Sequence, residues 1–243
     1  MVLWPHAPSV QHSRKAYEYL TKKENIPTVE TVNISGFAKE RLKIVVVSPI
    51  YGGSLPIARY CTRALQQLGH DVHLWDASIF EKPFDQVMKL RLDEKNKKVL
   101  FDLFMHLISE MVVATCGDIR PDLMIGLAQA PVSLHALERL RQSRIITAFW
   151  FVEDYRFMEY WRRYAPVYDF YFTIQDDDFF DELARIGVEN YFYLPMAADP
   201  EVHCPVILTE DEQKSFGSDL SFMGAGYYNR QKMFCGLLDF DLK

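Results

Sequence analysis

Residues 42–75, LKIVVVSPIYGGSLPIARYCTRALQQLGHDVHLW, decide the fold. The run 42–47 is continuous, apolar and rich in valine, as a strand covered on both faces must be. The loop SPIYGGS (48–54) follows. Residues 55–68 then carry apolar side chains at helical spacing until Gly69 stops the helix. DVHLW (71–75) reads as a second strand. Strand, helix and strand in that order make a βαβ crossover, which joins parallel strands.

The alternation continues outward from this unit. Residues 85–116 are mostly helical in pattern, with the charged stretch 91–98 as their solvated part. DLMIG (122–126) reads as a strand and 132–141 as a helix. IITAFWF (145–151) is a strand, followed by a helix at 155–164 with Pro166 just beyond it. YDFYFTI (168–174) is a strand, 177–186 is a helix ended by Gly187, and NYFYL (190–194) is a strand. About six strands alternating with helices predict an α/β protein with a Rossmann-like doubly wound parallel sheet. Residues 41–205 are assigned to that domain. Residues 1–40 are an N-terminal extension with a helix expected at 13–23 and an extended run at 29–34. Residues 206–243 read as a linker and one further βα unit, with a strand at DLSFM (219–223) and a helix from about Asn229. A lone βα unit builds no core of its own, so it either joins the first sheet or opens a second domain.

Composition narrows the function classes. The chain has 243 residues, 49% hydrophobic and 25% charged, which excludes a disordered tail, a collagen repeat and a coiled coil. The net charge of −6 supplies no global basic field, so nucleic acid is not an expected partner. Cys61, Cys116, Cys204 and Cys235 form no CxxC pair. They read as small apolar residues in a reducing compartment rather than as a disulfide framework or zinc site. The N-terminus lacks the layout of a secretory signal, and no stretch of about 18 uncharged apolar residues occurs, so a cytoplasmic protein without a membrane span is expected.

In an open parallel sheet, ligands bind beyond the carboxyl ends of the strands. In the loop 48–54, Gly52 and Gly53 permit close backbone approach to a ligand, and Ser54 suits a helix N-cap. The same loop also suits a plain tight turn, and it matches neither GxGxxG nor a P-loop. Small residues at 128–131 (AQAP) allow close approach or simply turn the chain. After the fourth strand come Glu153 and Asp154, framed by Trp150 and Tyr155. Asp154 there is either a general base or sugar-hydroxyl ligand, or the cap of the next helix. Glu153 reads as solvated but stands with Trp150 and Tyr155 among the substrate-binding candidates, since an aromatic beside these acids suits stacking on a sugar or base. Asp176, Asp177 and Asp178 follow the fifth strand and suit a helix N-terminus better than a metal, with Asp176 a candidate for the cleft. Residues 196–200 border either a cleft or a hinge. His135 sits behind the 128–131 loop without a motif around it, and no GxSxG elbow occurs.

Four segments, LKIVVVSPIYGGSLPIARYCTRALQQLGHDVHLWD, FWFVEDYR, YDFYFTIQDDDFFDELARIGVENYFYLPMAADPEVHCP and SDLSFMGAGYYNRQKM, together resemble the N-terminal half of GT-B glycosyltransferases. The resemblance is nearest to the CgeB-like (spore maturation protein) group, and it spans about 42–235. It implies two Rossmann-like domains facing one cleft, with the acceptor on the first domain and most of the nucleotide-sugar site on the second. It implies that Gly52 and Gly53 face the cleft, that Asp154 is the acid after the aromatic strand, and that Gly224 and Arg230 lie near the donor phosphates, where a guanidinium fork suits a diphosphate. No metal and no cofactor are expected beyond the nucleotide sugar as co-substrate. The paired-glutamate donor motif of the second domain is absent from this sequence, so the expectation is an acceptor-side half that needs a donor-side partner domain and is inactive alone. Two other readings stand beside it: a non-catalytic Rossmann-like binding or regulatory domain, and part of a sugar-nucleotide epimerase.

Overall fold

A computed structural model describes residues 41–224 and 228–242. The expectations at 13–23 and 29–34 lie outside the described residues. Six strands form one all-parallel sheet: β1 (Lys43–Val47), β2 (Asp71–Trp75), β3 (Leu123–Leu127), β4 (Ile146–Phe151), β5 (Phe170–Thr173) and β6 (Tyr191–Tyr193), in the order β2-β1-β3-β4-β5-β6. The order reverses once, between β1 and β3, where Ile44 pairs with Leu123 and Val47 with Gly126. The α/β class, the parallel sheet and all six strands agree with the sequence expectation.

The helices are α1 (Leu55–Gln67), α2 (Glu81–Met88), α3 (Glu94–Ile119), α4 (Leu134–Gln142), α5 (Trp161–Tyr164), α6 (Asp178–Arg185), α7 (Glu210–Phe216) and α8 (Tyr228–Phe234). Successive strand residues point to opposite faces. Val45 and Val47 of β1 join a core with Met124, Phe149, Phe151 and Tyr171 from the other strands. Against them lie Val112 and Cys116 of α3, Leu137 and Leu140 of α4, Trp161 of α5, and Phe179 and Leu183 of α6. Ile44 and Val46 face the other way and are buried too, while α1 packs on β1 and β2 with Ala58 and Thr62 buried. Helices therefore flank a sheet in which β1 is buried on both faces from Ile44 to Val47, as a doubly wound sheet requires.

Local chemistry sets the boundaries. Gly69 ends α1 at φ 92°, a left-handed conformation that a side chain disfavours, and its N–H returns to Gln66 O at 2.9 Å. The helical pattern at 85–116 resolves into two helices, because Asp93 caps α3 by accepting from Asn96 N at 2.8 Å. The helix expected at 155–164 shrinks to α5. Asp154 Oδ1 accepts its own neighbour Arg156 N at 3.0 Å, and the Trp161 indole N–H takes the Tyr155 carbonyl at 2.9 Å, so turns replace the first helical turns.

By length and composition α3 could cross a membrane, with mean hydropathy 1.7 in its most apolar window and 22% of that window buried. It is at the same time a crossover helix of this sheet, packed on α2 and α4, and its Glu110 is ion-paired to Arg139 of α4.

The strand expected at 219–223 is reduced to a single parallel bridge between Leu220 and Leu242, on either side of α8. Leu220 N donates to Asp241 O at 3.1 Å, and Asp241 N donates to Asp219 Oδ2 at 3.1 Å.

Candidate functional site

Four loops at the carboxyl rim surround the point where the strand order reverses. The loop after β1 begins at Ser48, whose hydroxyl accepts Ala77 N at 2.9 Å and so ties the ends of β1 and β2 together. Asp76 accepts Ser78 N at 3.0 Å and pairs with Arg59 at 3.2 Å. Burial raises the Asp76 pKa, but the hydrogen bonds from Ser78 and Arg59 outweigh it and hold the carboxyl below its usual range. Further along, Gly52 takes φ 102° and a side chain on either Gly52 or Gly53 would meet nothing within 4 Å, so the loop faces open space. Ser54 stands at the N-cap of α1 in a helical conformation and makes no side-chain cap. Pro56 inside the first turn starts the helix without it.

Beside this loop a pocket of about 160 Å³ opens, lined by Pro49, Ile50, Tyr51, Phe84, Phe101, Met105 and Gln129. Tyr51 stacks on Phe84 at 5.5 Å, and Phe101 meets Phe84 edge-on at 5.9 Å. Gln129 reaches the wall from a strained turn, since Ala128 before it has φ 30° and is buried.

Gln129 also connects the pocket to the loop after β4. Its Nε2 donates to Glu153 Oε1 at 2.5 Å, and the Tyr160 hydroxyl donates to Glu153 Oε2 at 2.5 Å. Glu153, expected to be solvated, is thus half-buried and held at both oxygens by neutral donors. Burial, and then the bond to Glu153, push the Tyr160 phenol far above its usual pKa, so it remains a donor at all working pH.

Asp154 has different partners. Arg156 Nε donates to Asp154 Oδ1 at 2.9 Å and Nη2 to Oδ2 at 2.7 Å. This fork holds the Asp154 carboxyl below the usual range, so it remains an anion with its charge already compensated. Tyr155 stacks on Phe179 at 4.4 Å, with Trp161 edge-on, and its N–H donates to Gln175 Oε1 at 3.0 Å; its ring belongs to the core. The Trp150 indole donates to Leu194 O at 3.1 Å and anchors the chain as it leaves β6. Asp176 is exposed, and Asp177 occupies the N-cap of α6 at φ 50° without capping it. Among the described residues, no group of three or more His, Cys, Asp or Glu stands close enough to share a metal.

The segment 196–200 is spent on structure. Asp199 is buried and pairs with Arg63 of α1 at 3.0 Å, while its N–H donates to His203 Nδ1 at 2.9 Å. Glu201 joins through Arg63 and through Gln67 Nε2 at 2.9 Å. This strap binds the exit of β6 to α1, at the opposite edge of the sheet. His135 pairs with Glu110 at 3.7 Å. Gly224 and Arg230 pack on Phe222. The Arg230 guanidinium lies 5.1 Å from the Phe222 ring centre, and a Cβ on Gly224 would come within 2.7 Å of that ring.

Of the residues around this rim, Gln129 lines the pocket and holds Glu153, and Gly52 and Gly53 follow the lining residue Tyr51 in the loop after β1, while Trp150, Tyr155 and Asp154 bond to Leu194, Gln175 and Arg156. Tyr51, Phe84, Phe101 and Met105 escape sequence reading because three chain segments bring them together. Compared with models of known families and with curated proteins, the chain matches none.

Proposed function

We propose that this protein supplies the acceptor-side domain of a nucleotide-sugar-dependent glycosyltransferase of GT-B build, with Glu153 the carboxylate at the acceptor hydroxyl. The observation that carries it is the cluster at the switch point: a glycine loop, a pocket and a carboxylate held by Gln129 and Tyr160. Ligands of open parallel sheets collect at this point of the fold. Neutral donors on both oxygens hold the Glu153 carboxylate in place beside the pocket wall. Glu153 accepts the proton of the acceptor hydroxyl as that oxygen attacks the anomeric carbon and the nucleoside diphosphate departs. Asp154, clamped by Arg156, is a positioning residue that shapes the turn carrying Glu153.

The strap through Asp199 and the parallel bridge Leu220–Leu242 that follows it suit a chain passing into a second parallel unit. In this reading that unit belongs to the donor-side domain, with Gly224 and Arg230 at the diphosphate. The nucleotide sugar is a co-substrate, and the protein works in the cytoplasm on soluble donor.

The test is nucleoside diphosphate release from a panel of sugar donors by the protein carrying its donor-side domain. Release that requires an acceptor is expected, with kcat lower by about 10²-fold or more in Glu153→Gln and a smaller loss in Asp154→Asn. Interconversion of sugar nucleotides without an acceptor would mark an epimerase, and ligand binding without turnover a regulatory domain; either result defeats the proposal.

A further inference from the structure

We infer that the switch-point pocket seats a single aromatic ring carrying a hydroxyl, so that the acceptor is a phenol or aryl alcohol; this rests on the acceptor-side reading above. The first argument is size. A cavity of about 150 Å³ lined by aliphatic and aromatic side chains accommodates benzene, and this pocket measures about 160 Å³. The second is wall chemistry. Tyr51, Phe84 and Phe101 present faces and edges in the offset-stacked and edge-on arrangements that aromatic rings adopt with one another. Beneath them Ile50, Ala77 and Ile108 form a buried apolar floor packed against Phe84, Phe104 and Met105.

Polar side chains are few in the lining. Gln129 is the one side chain with a hydrogen-bonding amide or charge among the lining residues, and the Tyr51 phenol is the only other side-chain polar group there. A sugar placed in this pocket would bring several hydroxyls to a wall that answers few of them, and each unanswered one carries a desolvation cost. A ring with one hydroxyl has one polar group to satisfy. Gln129 is bonded to Glu153, so a hydroxyl at that side of the ring stands next to the carboxylate that the transfer needs. The strained backbone at Ala128 fixes this corner before any ligand arrives.

The experiment is an NMR titration of the chain with phenol, benzyl alcohol and methyl glucoside, observing the Ile50 and Met105 methyl groups. Phenol and benzyl alcohol should shift both methyls through ring currents and saturate with Kd on the order of 1 mM, while methyl glucoside leaves them unmoved. Phe101→Ala and Tyr51→Ala, both at partly exposed side chains, should each weaken ring binding by about 10-fold with the spectrum otherwise retained. Absence of a shift with either aromatic probe, equal shifts with methyl glucoside, or ring binding indifferent to both substitutions overturns the inference. The two proposals fail separately. Ring binding by a protein that transfers no sugar leaves the pocket standing and removes the transferase. Sugar transfer to non-aromatic acceptors with no ring binding does the reverse.

Discussion

The two halves of the carboxyl rim use aromatic side chains in opposite ways. Beyond β4 and β5, Tyr155, Trp161 and Phe179 interlock, with Trp161 and Phe179 fully buried. Beyond β1 and β2, Tyr51 and Phe101 touch Phe84 yet remain 46% and 36% exposed, and a pocket opens beside them. Topology accounts for the difference. Where neighbouring strands follow one another in sequence, each crossover helix lies against the last and closes the rim. Where the order reverses, the chain leaves in opposite directions and a crevice remains. The same residue type thus fills the core on one side and lines an open pocket on the other.

The contrast can be broken by substitution. The largest effect belongs to the closed side. Phe179→Ala should lower stability by about 3–5 kcal/mol in urea or thermal unfolding, the range for a buried aromatic. A loss below about 1 kcal/mol would mean that this rim is not packed. Next comes Gly126 on β3, where an added Cβ would stand 3.0 Å from the Tyr168 hydroxyl and 3.1 Å from Phe149. Both neighbours are buried rings with little room to give, so Gly126→Ala should cost about 1–2 kcal/mol by overpacking. A stabilised variant would show that the rings yield.

A smaller effect tests the division of labour between Glu153 and Asp154. Arg156 lowers the folded-state pKa of Asp154. The resulting stabilisation is complete above the unfolded value of about 4 and is lost as pH falls through the folded value. Asp154→Asn should therefore unfold more easily than the wild type near neutral pH, and the gap should close on acidification below about pH 4. A gap unchanged by acid would remove Asp154 from the ion pair.

Thiol labelling sharpens the picture of the interior. Burial pushes the Cys61 thiol up to about 11 and the Cys116 thiol up to about 12, while Cys204 and Cys235 are exposed. Cys204 and Cys235 should react quickly with a maleimide in the native protein, Cys61, which is partly buried, slowly, and Cys116 only on unfolding. Rapid native labelling of Cys116 would contradict its place in the core. The smallest effect is on the open side, where Tyr51→Ala should change stability by about 0.5 kcal/mol or less.

Much of the fold is readable along the chain. The valine run of β1, Gly69 and Gly187 after their helices, and the regular spacing of apolar strands are local signals, and each corresponds to an observed element. The departures have physical causes that spacing does not carry. The helix at 155–164 shortens because the Trp161 indole claims a backbone carbonyl. Among the described residues, the strand at 219–223 is represented by the bridge from Leu220 to Leu242, a pairing that spans 22 residues and that spacing does not show.

The site is less legible. Gly52 and Gly53 announce themselves, but Asp154 and Glu153 are adjacent acids that look alike in sequence. Arg156, two residues away, takes one of them, and that pairing is local. Gln129, 24 residues away, takes the other, and that pairing exists only after β3 and β4 lie side by side.

The amino-acid sequence by itself determined the alternation of strands and helices, because periodicity and stop signals act over a few residues. The order of the strands, the pocket at their reversal and the pairing of Glu153 with Gln129 were decided only in the tertiary structure. These depend on contacts between segments far apart in the chain, which local spacing does not encode.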